Sequence, residues 1–508
     1  MKEKKIGGRK LIINSIVYSF SGLLLKCFSF FLIPLYTTYL STEDYGITSI
    51  ATSFLSTMGY IVAFSLFSAI MRFYVDLKDD AEKLKRFYGT IITFVFISSF
   101  VFAGILIAFN RLVSTYVFAG IDFYPIVLIS VVTIAFSCQH TVYDNILKSQ
   151  QKAAKSSILS IVYFFVTLFL NVMFVVVLRK GALGVVMATL ISSFLYTLYA
   201  IIDMLRTKSM VICIDFKILK DALKYSIPIM PHNLSTQIAS LFSKSFIGGV
   251  STLSALGIYA IASQFGNLSD TIQHYVNQAY GPWLYEKLHD KNDDYKNTLR
   301  DMVRMLTSVI GLFLIGIAIF AQDYIVLFVD NAYVDSWRYV PFVVLVFGIK
   351  TAYYFYVNIL FYYKKASKLL FVSTLSSSFL NILLSALLIP NYGVYGSILA
   401  DSISMLLRVA IIIIISKHFD DIGLKIRDFV FNFVIVAAFI FLGLAMSIFK
   451  YQNVFNIWNF LYKILIIIIY VSLIFVMHKK QLIPLLNRFL KRKKHESEIE
   501  NETKKNDC

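Results

Sequence analysis

The sequence predicts an all-α polytopic membrane protein of about fourteen transmembrane helices, built as two parallel-repeat six-helix bundles plus two accessory C-terminal helices. Three observations carry this. The chain is 58% hydrophobic, only 15% charged, and has a mean hydropathy of +0.72. Its apolar residues fall into runs of roughly 20, the length that crosses a hydrocarbon core of about 30 Å as a helix. Its basic residues alternate from loop to loop in the way the positive-inside rule requires.

In order, the apolar runs are 12–37, 46–70, 87–109, 124–147, 156–178, 183–204, 226–248, 257–282, 304–321, 339–361, 369–389, 394–416, 429–448 and 459–478. The basic MKEKKIGGRK leader precedes a run that continues far past signal-peptide length, so the first span is expected to be retained. With both termini on the cytoplasmic side, 38 of the 48 Lys and Arg residues fall in inner segments. The outer loops hold Arg111, Arg179, Lys180, Arg338 and Lys450. A missed or extra span would scramble this alternation. The charged tail KRKKHESEIENETKKNDC, residues 491–508, is expected to be disordered, its KRKK run at 491–494 reading either as a contact with anionic headgroups or as a solvated positive-inside flank.

The stretch 256–286 departs from an ordinary span. Ser263, Gln264, Asn267, Asp270, His274, Asn277 and Gln278 recur at steps of three and four, which gathers them on one helix face. Unpaired amides and carboxylates in hydrocarbon cost several kcal/mol, so this face must meet protein or water. A helix–helix seam would satisfy the pattern. The wall of a wet cavity satisfies it better, because a seam seldom needs so many polar groups.

A cavity predicts further polar groups at membrane depth, and the chain supplies them. Lys26 lies midway along the first span. Lys244 shares a face of the seventh with Asn233, Gln237 and Ser240. Lys350 lies in the tenth, with Tyr353 and Tyr354 nearby and Asn358 below. Each lysine is either ligand-facing or one member of a structural ion pair. Arg408 in the twelfth span is expected to pair with Asp401, two turns away. His140 and Asp144 read as a pair at the inner end of the fourth. Lys463, near the outer surface, is expected to snorkel. Deep cations outnumber deep anions, which favours an anionic substrate. Asp270 and His274, one turn apart, are the candidates for proton coupling, with a plain seam hydrogen bond as the other reading.

Two halves of the chain resemble each other at an offset near 210. Phe169-Leu170-Asn171 matches Phe379-Leu380-Asn381, and Gly181, Gly184 and Ala188 match Gly393, Gly396 and Ala400. Gly46-Ile47 and Ala51 match Gly257-Ile258 and Ala262. Six spans per half gives both halves one orientation, a parallel repeat. Transporters of that kind bind substrate between the halves near the midplane and rock one half against the other. The expected units are an N-terminal lobe (1–210), a C-terminal lobe (211–420), two accessory helices (421–480) and a cytoplasmic tail (481–508).

Cys27, Cys138, Cys213 and Cys508 are scattered, without disulfide or metal spacing. No metal, cofactor or nucleic-acid partner is expected. No nucleotide-binding loop or nucleophile motif occurs, so the chain reads as a non-ATP transporter and not an enzyme.

Several stretches resemble the flippases of the multidrug/oligosaccharidyl-lipid/polysaccharide (MOP) superfamily, in particular the polysaccharide repeat-unit (Wzx-type) branch. They are FLIPLYTTYLSTEDYGI (31–47), AIMRFYVD (69–76), LKSQQKAAKSS (147–157), GALGVVMATLIS (181–192), KYSIPIMPHNLS (224–235) and LGIYAIASQF…QAYGPWLYE (256–286). Thr38 stands where the family signature has Arg. Lys244-Ser245 stands where an Asp-Arg pair is frequent, and Lys26-Cys27 where the lipid II branch carries Arg-Asp. The resemblance implies two six-helix bundles in a V shape around a central cationic cavity and residence in the bacterial cytoplasmic membrane. It also implies an undecaprenyl-pyrophosphate-linked oligosaccharide as cargo, moved from the inner to the outer leaflet. The expected substrate-binding residues are Lys26, Lys244, Lys350, Gln237, Gln264, Asn267, Tyr354 and Arg408. Membrane lipids, and a glycan polymerase or glycosyltransferases, are the expected partners. The alternatives are a lipid II flippase and a MATE-like multidrug antiporter.

Overall fold

The computed structural model describes residues 17, 20–290, 294–363, 369–479 and 481. The expectations for the leader, for tail residues 482–508 and for the basic loop 364–368 lie outside the described residues. Among the described residues the regular structure is entirely helical.

Ten helices are long and apolar enough to cross a membrane. They include α1 (Phe20–Tyr39), α4 (Ala81–Ala108), α5 (Leu128–Ser149, extended back to Phe123), α6 (Ala153–Asn171, extended to Val177) and α7 (Gly181–Arg206). An eleventh pass is the bent pair α2 (Thr42–Val62) and α3 (Leu66–Leu77), which meet at 47°. The bend falls at Phe64 and Ser65, both at positive φ. A short helix, α8 (Phe216–Ser226), then leads into α9 (Met230–Phe246) and α10 (Leu253–Asp290). These two are passes by position. The first has 17 residues, and the second is too polar to qualify by hydropathy. The chain continues through α11 (Tyr295–Phe328), α12 (Val340–Tyr362), α13 (Leu370–Phe419), α14 (Ile426–Phe449) and α15 (Ile457–Met477).

The 50-residue α13 is two passes. Gly393 has φ +53° and ψ −131°, a conformation that strains any residue with a Cβ. The chain reverses there, because Gly396 lies against the Leu388 carbonyl and Arg408 Nε donates to Ser377 Oγ at 2.8 Å across 31 residues. Gly181, its partner in the internal repeat, has φ +54°. With α13 counted twice, the described helices give fourteen passes.

Local chemistry sets the helix ends. Ser41 and Asp44 form a reciprocal capping box on α2. Asp80, Asp215 and Asn456 cap α4, α8 and α15. Pro231 and Pro341 sit in the first turns of α9 and α12, where a missing N–H leaves nothing unpaired, and Pro34 follows the break in α1 at Leu32.

The internal repeat has a physical counterpart where α2 crosses α10. A Cβ on Gly46 would fall 2.1 Å from the Leu253 carbonyl oxygen, and one on Gly257 would fall 1.9 Å from that of Thr42. Each repeat-related glycine thus admits the backbone of the other's helix. Thr42 Oγ1 and Ser254 Oγ lie 2.7 Å apart at the same crossing. At this same end Tyr333 donates to the Leu40 and Ser41 carbonyls, and Asp44 accepts the Ala182 N–H. Trp337 Nε1 donates to Asn453 there as well. The loops poor in Lys and Arg therefore share one face. The opposite face carries Lys155–Asp203 and Arg300–Asp428, both at 2.6 Å. The alternation expected from loop charge is the alternation of the fold.

Lys463 corrects an expectation. It does not snorkel. Its side chain is 0% exposed and pairs with Asp323 at 2.6 Å and Gln322 at 2.7 Å. Ser447 and Asn459 complete the network, which ties α14 and α15 to α11. Burying an ammonium this way requires a charged partner, and Asp323 supplies it.

Candidate functional site

The polar face of α10 is not sealed. Gln264, Ser263 and Asn267 line a cavity of about 310 Å³ whose other wall is Tyr36, Tyr45, Thr48 and Thr52 from the first half of the chain. Ser263 and Asn267 also line a second cavity, of about 290 Å³, between α9, α10, α12 and both arms of α13. Lys244 is the third residue common to both. The two cavities therefore share a wall built by α9 and α10, and the lysine sits in that wall.

Lys244 Nζ donates to Ser53 Oγ of α2 at 2.7 Å. Arg408, at the far side of the second cavity, donates to Ser377 and Ser378 at 2.8 and 3.5 Å. Among the described residues neither cation has a carboxylate within the 4.0 Å of an ion pair. Both are instead solvated by hydroxyls, which leaves their charge uncompensated at short range. The expected Arg408–Asp401 pair does not form. Asp401 accepts from Asn381 Nδ2 at 2.8 Å and Tyr259 Oη at 3.4 Å, and lines the same cavity.

Lys350 differs. Its Nζ lies 2.7 Å from Asp270 Oδ1, and Tyr354 Oη donates to the same oxygen at 2.9 Å. Of the two readings open for this lysine, it has the ion pair. The proposed couple of Asp270 with His274 also separates, since His274 Nε2 instead meets Gln278 Nε2 at 3.0 Å. Lys26 is exposed. It shares a helix face with Gly22, which lies under Tyr275 Oη, and with Phe30, which packs on Phe265. That face looks toward α10. Gln237 lies on α9, where its carbonyl accepts from Thr57; its side chain lines neither cavity. His140 packs against Tyr163, tilted, and Tyr196, edge-on, while Asp144 pairs with Lys148 at 2.6 Å.

Ser53, Ser377, Ser378, Asn381 and Tyr259 complete the site and were not legible beforehand. A serine in an apolar run commonly returns its hydroxyl to its own helix, as Ser263 does to Tyr259. Sequence alone does not distinguish that from a serine facing a cation.

A third cavity, of about 490 Å³, is apolar. It lies between α11, α12, the second arm of α13 and α14, and is lined by Leu314, Ile349, Val409, Ile413, Val430 and Phe433 among others. Its rim residues Leu406, Ile414 and Val430 are exposed.

The model of a family described as "Polysaccharide biosynthesis protein" matches residues 38–338, more than half of the chain. The chain belongs to this polysaccharide biosynthesis protein family. Its fold is shared by solved flippase and transporter structures. A structure of the lipid II flippase MurJ in an inward closed conformation superposes with a TM-score of 0.68 at 17% identity, covering 91% of this chain and 99% of that one. An inward-facing multidrug resistance MATE family transporter of the MOP superfamily gives 0.54 at 16% identity, covering 84% and 98%. An outward-facing one gives 0.51 at 15%, covering 84% and 96%. No curated protein sequence matches this chain.

Proposed function

We propose that this family member is a flippase. Its cargo is an undecaprenyl-pyrophosphate-linked oligosaccharide, a repeat unit of a cell-surface polysaccharide. It moves from the inner to the outer leaflet of the bacterial cytoplasmic membrane, without ATP hydrolysis by this chain. The observation that carries this reading is the pair of cations, Lys244 and Arg408, that face polar cavities with only hydroxyl partners. A pyrophosphate is the charge they lack. The amides and hydroxyls of Gln264, Asn267, Tyr45 and Ser263 suit sugar hydroxyls. The apolar cavity beside α14 suits a stretch of polyprenyl chain. It lies toward the cytoplasmic ends of its helices if both termini are cytoplasmic, the leaflet in which such precursors would load.

In this reading the lobes at 1–210 and 211–420 are the bodies that rock, and the α2–α10 crossing closes the outer side. Lys26 and Tyr354 extend the binding surface, Lys350 becomes available when its pair with Asp270 opens, and Gln237 acts after rearrangement. The polymerase and glycosyltransferases that consume and supply the cargo are the expected partners.

The test is transport of a fluorescent undecaprenyl-pyrophosphate oligosaccharide in proteoliposomes. Charge-assisted hydrogen bonds contribute about 1.5–3 kcal/mol, so Lys244→Ala and Arg408→Ala should each slow transfer by roughly 10–150-fold. Full activity in both variants would defeat the proposal. A second reading, a lipid II flippase, is favoured by the overall likeness to MurJ. Rescue of cells depleted of lipid II flippase activity would favour that reading over the first.

A further inference from the structure

The segment that joins the two halves has chemistry the transport reading does not use. After α7, residues 209–215 lie along the first turns of α4. The Val211 N–H reaches the Lys85 carbonyl at 3.4 Å, and the Asp215 N–H donates to Thr90 Oγ1 at 3.1 Å. Gly89 makes this contact possible, since a Cβ there would fall 1.8 Å from the Val211 oxygen. Residues 85–90 are where α4 passes from Lys83, Lys85 and Arg86 into its apolar run. The segment is therefore fixed at headgroup depth. Helix α8 continues from it with Leu219, Ala222 and Ser226 buried against the protein.

Its other face is bare. Phe216 is 79% exposed, Ile212 66% and Val211 47%. Lys217, Lys220 and Lys224 are exposed beside them at steps of three and four. Three neighbouring cations are spent locally, Arg72 on Asp76, Lys83 on Asp80 and Lys85 on Glu82. Among the described residues these three lysines have no ion pair. Asp215 is occupied in capping α8 through the Lys217 and Ile218 N–H groups, which leaves Asp221 as the one exposed anion of the helix. Topology requires lysines on this side of the membrane, but it does not require bare Phe216, Ile212 and Val211 beside them.

We propose that α8 and the residues before it form a binding surface for anionic phospholipid. Phe216, Ile212 and Val211 insert at the acyl boundary, and Lys217, Lys220 and Lys224 hold the headgroup phosphates. Because this segment is the covalent link between the halves, the lipid is bound to the element that must follow any movement of one half against the other.

The test uses the full chain carrying Phe216→Trp, reconstituted in phosphatidylcholine vesicles. Either brominated phosphatidylglycerol or brominated phosphatidylcholine is included at equal mole fraction. Background from the three native tryptophans is measured on the protein without the substitution. A lysine near an anionic surface enriches acidic lipid by up to about fivefold, so the brominated anionic lipid should quench at least about threefold more strongly. High salt, or Lys217→Gln with Lys220→Gln and Lys224→Gln, should bring the two to parity. Equal quenching without those changes overturns the anionic preference. A preference surviving the triple substitution overturns the role of the lysines. Absence of quenching by either lipid overturns membrane contact altogether.

Discussion

The crossing of α2 and α10 makes a quantitative prediction. Gly257→Ala would place a methyl carbon 1.9 Å from the Thr42 carbonyl oxygen, where ordinary contact begins at 3.4 Å. Both atoms belong to helix backbone or are fixed to it, so neither can rotate away. The helices must part by more than ~1 Å, and the Thr42–Ser254 hydrogen bond at 2.7 Å goes with the contact. Overpacking of this kind costs about 1–3 kcal/mol, which lowers the population of the closed crossing by roughly 5–150-fold. The assay is oxidative cross-linking of Thr42→Cys with Ser254→Cys, in a chain whose native cysteines are replaced by serine. Gly257→Ala should slow cross-linking at least ~5-fold. Gly59→Ala, where an added Cβ meets nothing within 4 Å, should leave it unchanged. Cross-linking at the original rate in Gly257→Ala would refute the reasoning, because it would mean the two backbones do not touch.

Other expectations follow from single contacts. Lys463→Ala leaves Asp323 buried without its cation, a loss of about 3–5 kcal/mol that should appear as reduced folded yield; Lys463→Met with Asp323→Leu should recover most of that yield. Lys350→Ala should impair transport more than Lys350→Ala with Asp270→Asn, since the double change removes the orphaned carboxylate; equal defects in proteoliposomes would count against the pair. His274→Gln should leave transport in proteoliposomes intact while Asp270→Asn impairs it, because the histidine touches Gln278 and not the carboxylate that holds Lys350.

What could be read from the sequence divides along a physical line. Hydrophobic length and loop charge are local properties, so fourteen passes and their alternation were legible, including the polar α10 that hydropathy alone rejects. Neighbours on one helix face are likewise fixed by spacing, which put Asn267, Gln264 and Ser263 on a common wall. Partners across helices are not encoded that way. Asp270 finds Lys350, 80 residues on, in preference to His274 one turn away. Arg408 turns to Ser377 on the antiparallel arm, and Lys463 finds Asp323 at a separation of 140 residues. In each case the sequence identified a group too costly to leave in lipid, and the fold chose its partner. The repeat offers an intermediate case. Gly46 and Gly257 could be aligned, but nothing in the alignment said that they would meet each other.

The account rests on water and charge reaching the wall between the two cavities. Asn267→Cys, in a chain without its native cysteines, should react with a charged membrane-impermeant thiosulfonate in vesicles, and the reaction should slow when undecaprenyl-pyrophosphate oligosaccharide is added. Phe379→Cys, 72% exposed on the outer surface of α13, should stay unlabelled because it faces lipid. If Asn267→Cys is as inert as Phe379→Cys from both sides of the membrane, the cavity is not a hydrated path and the flippase reading is contradicted.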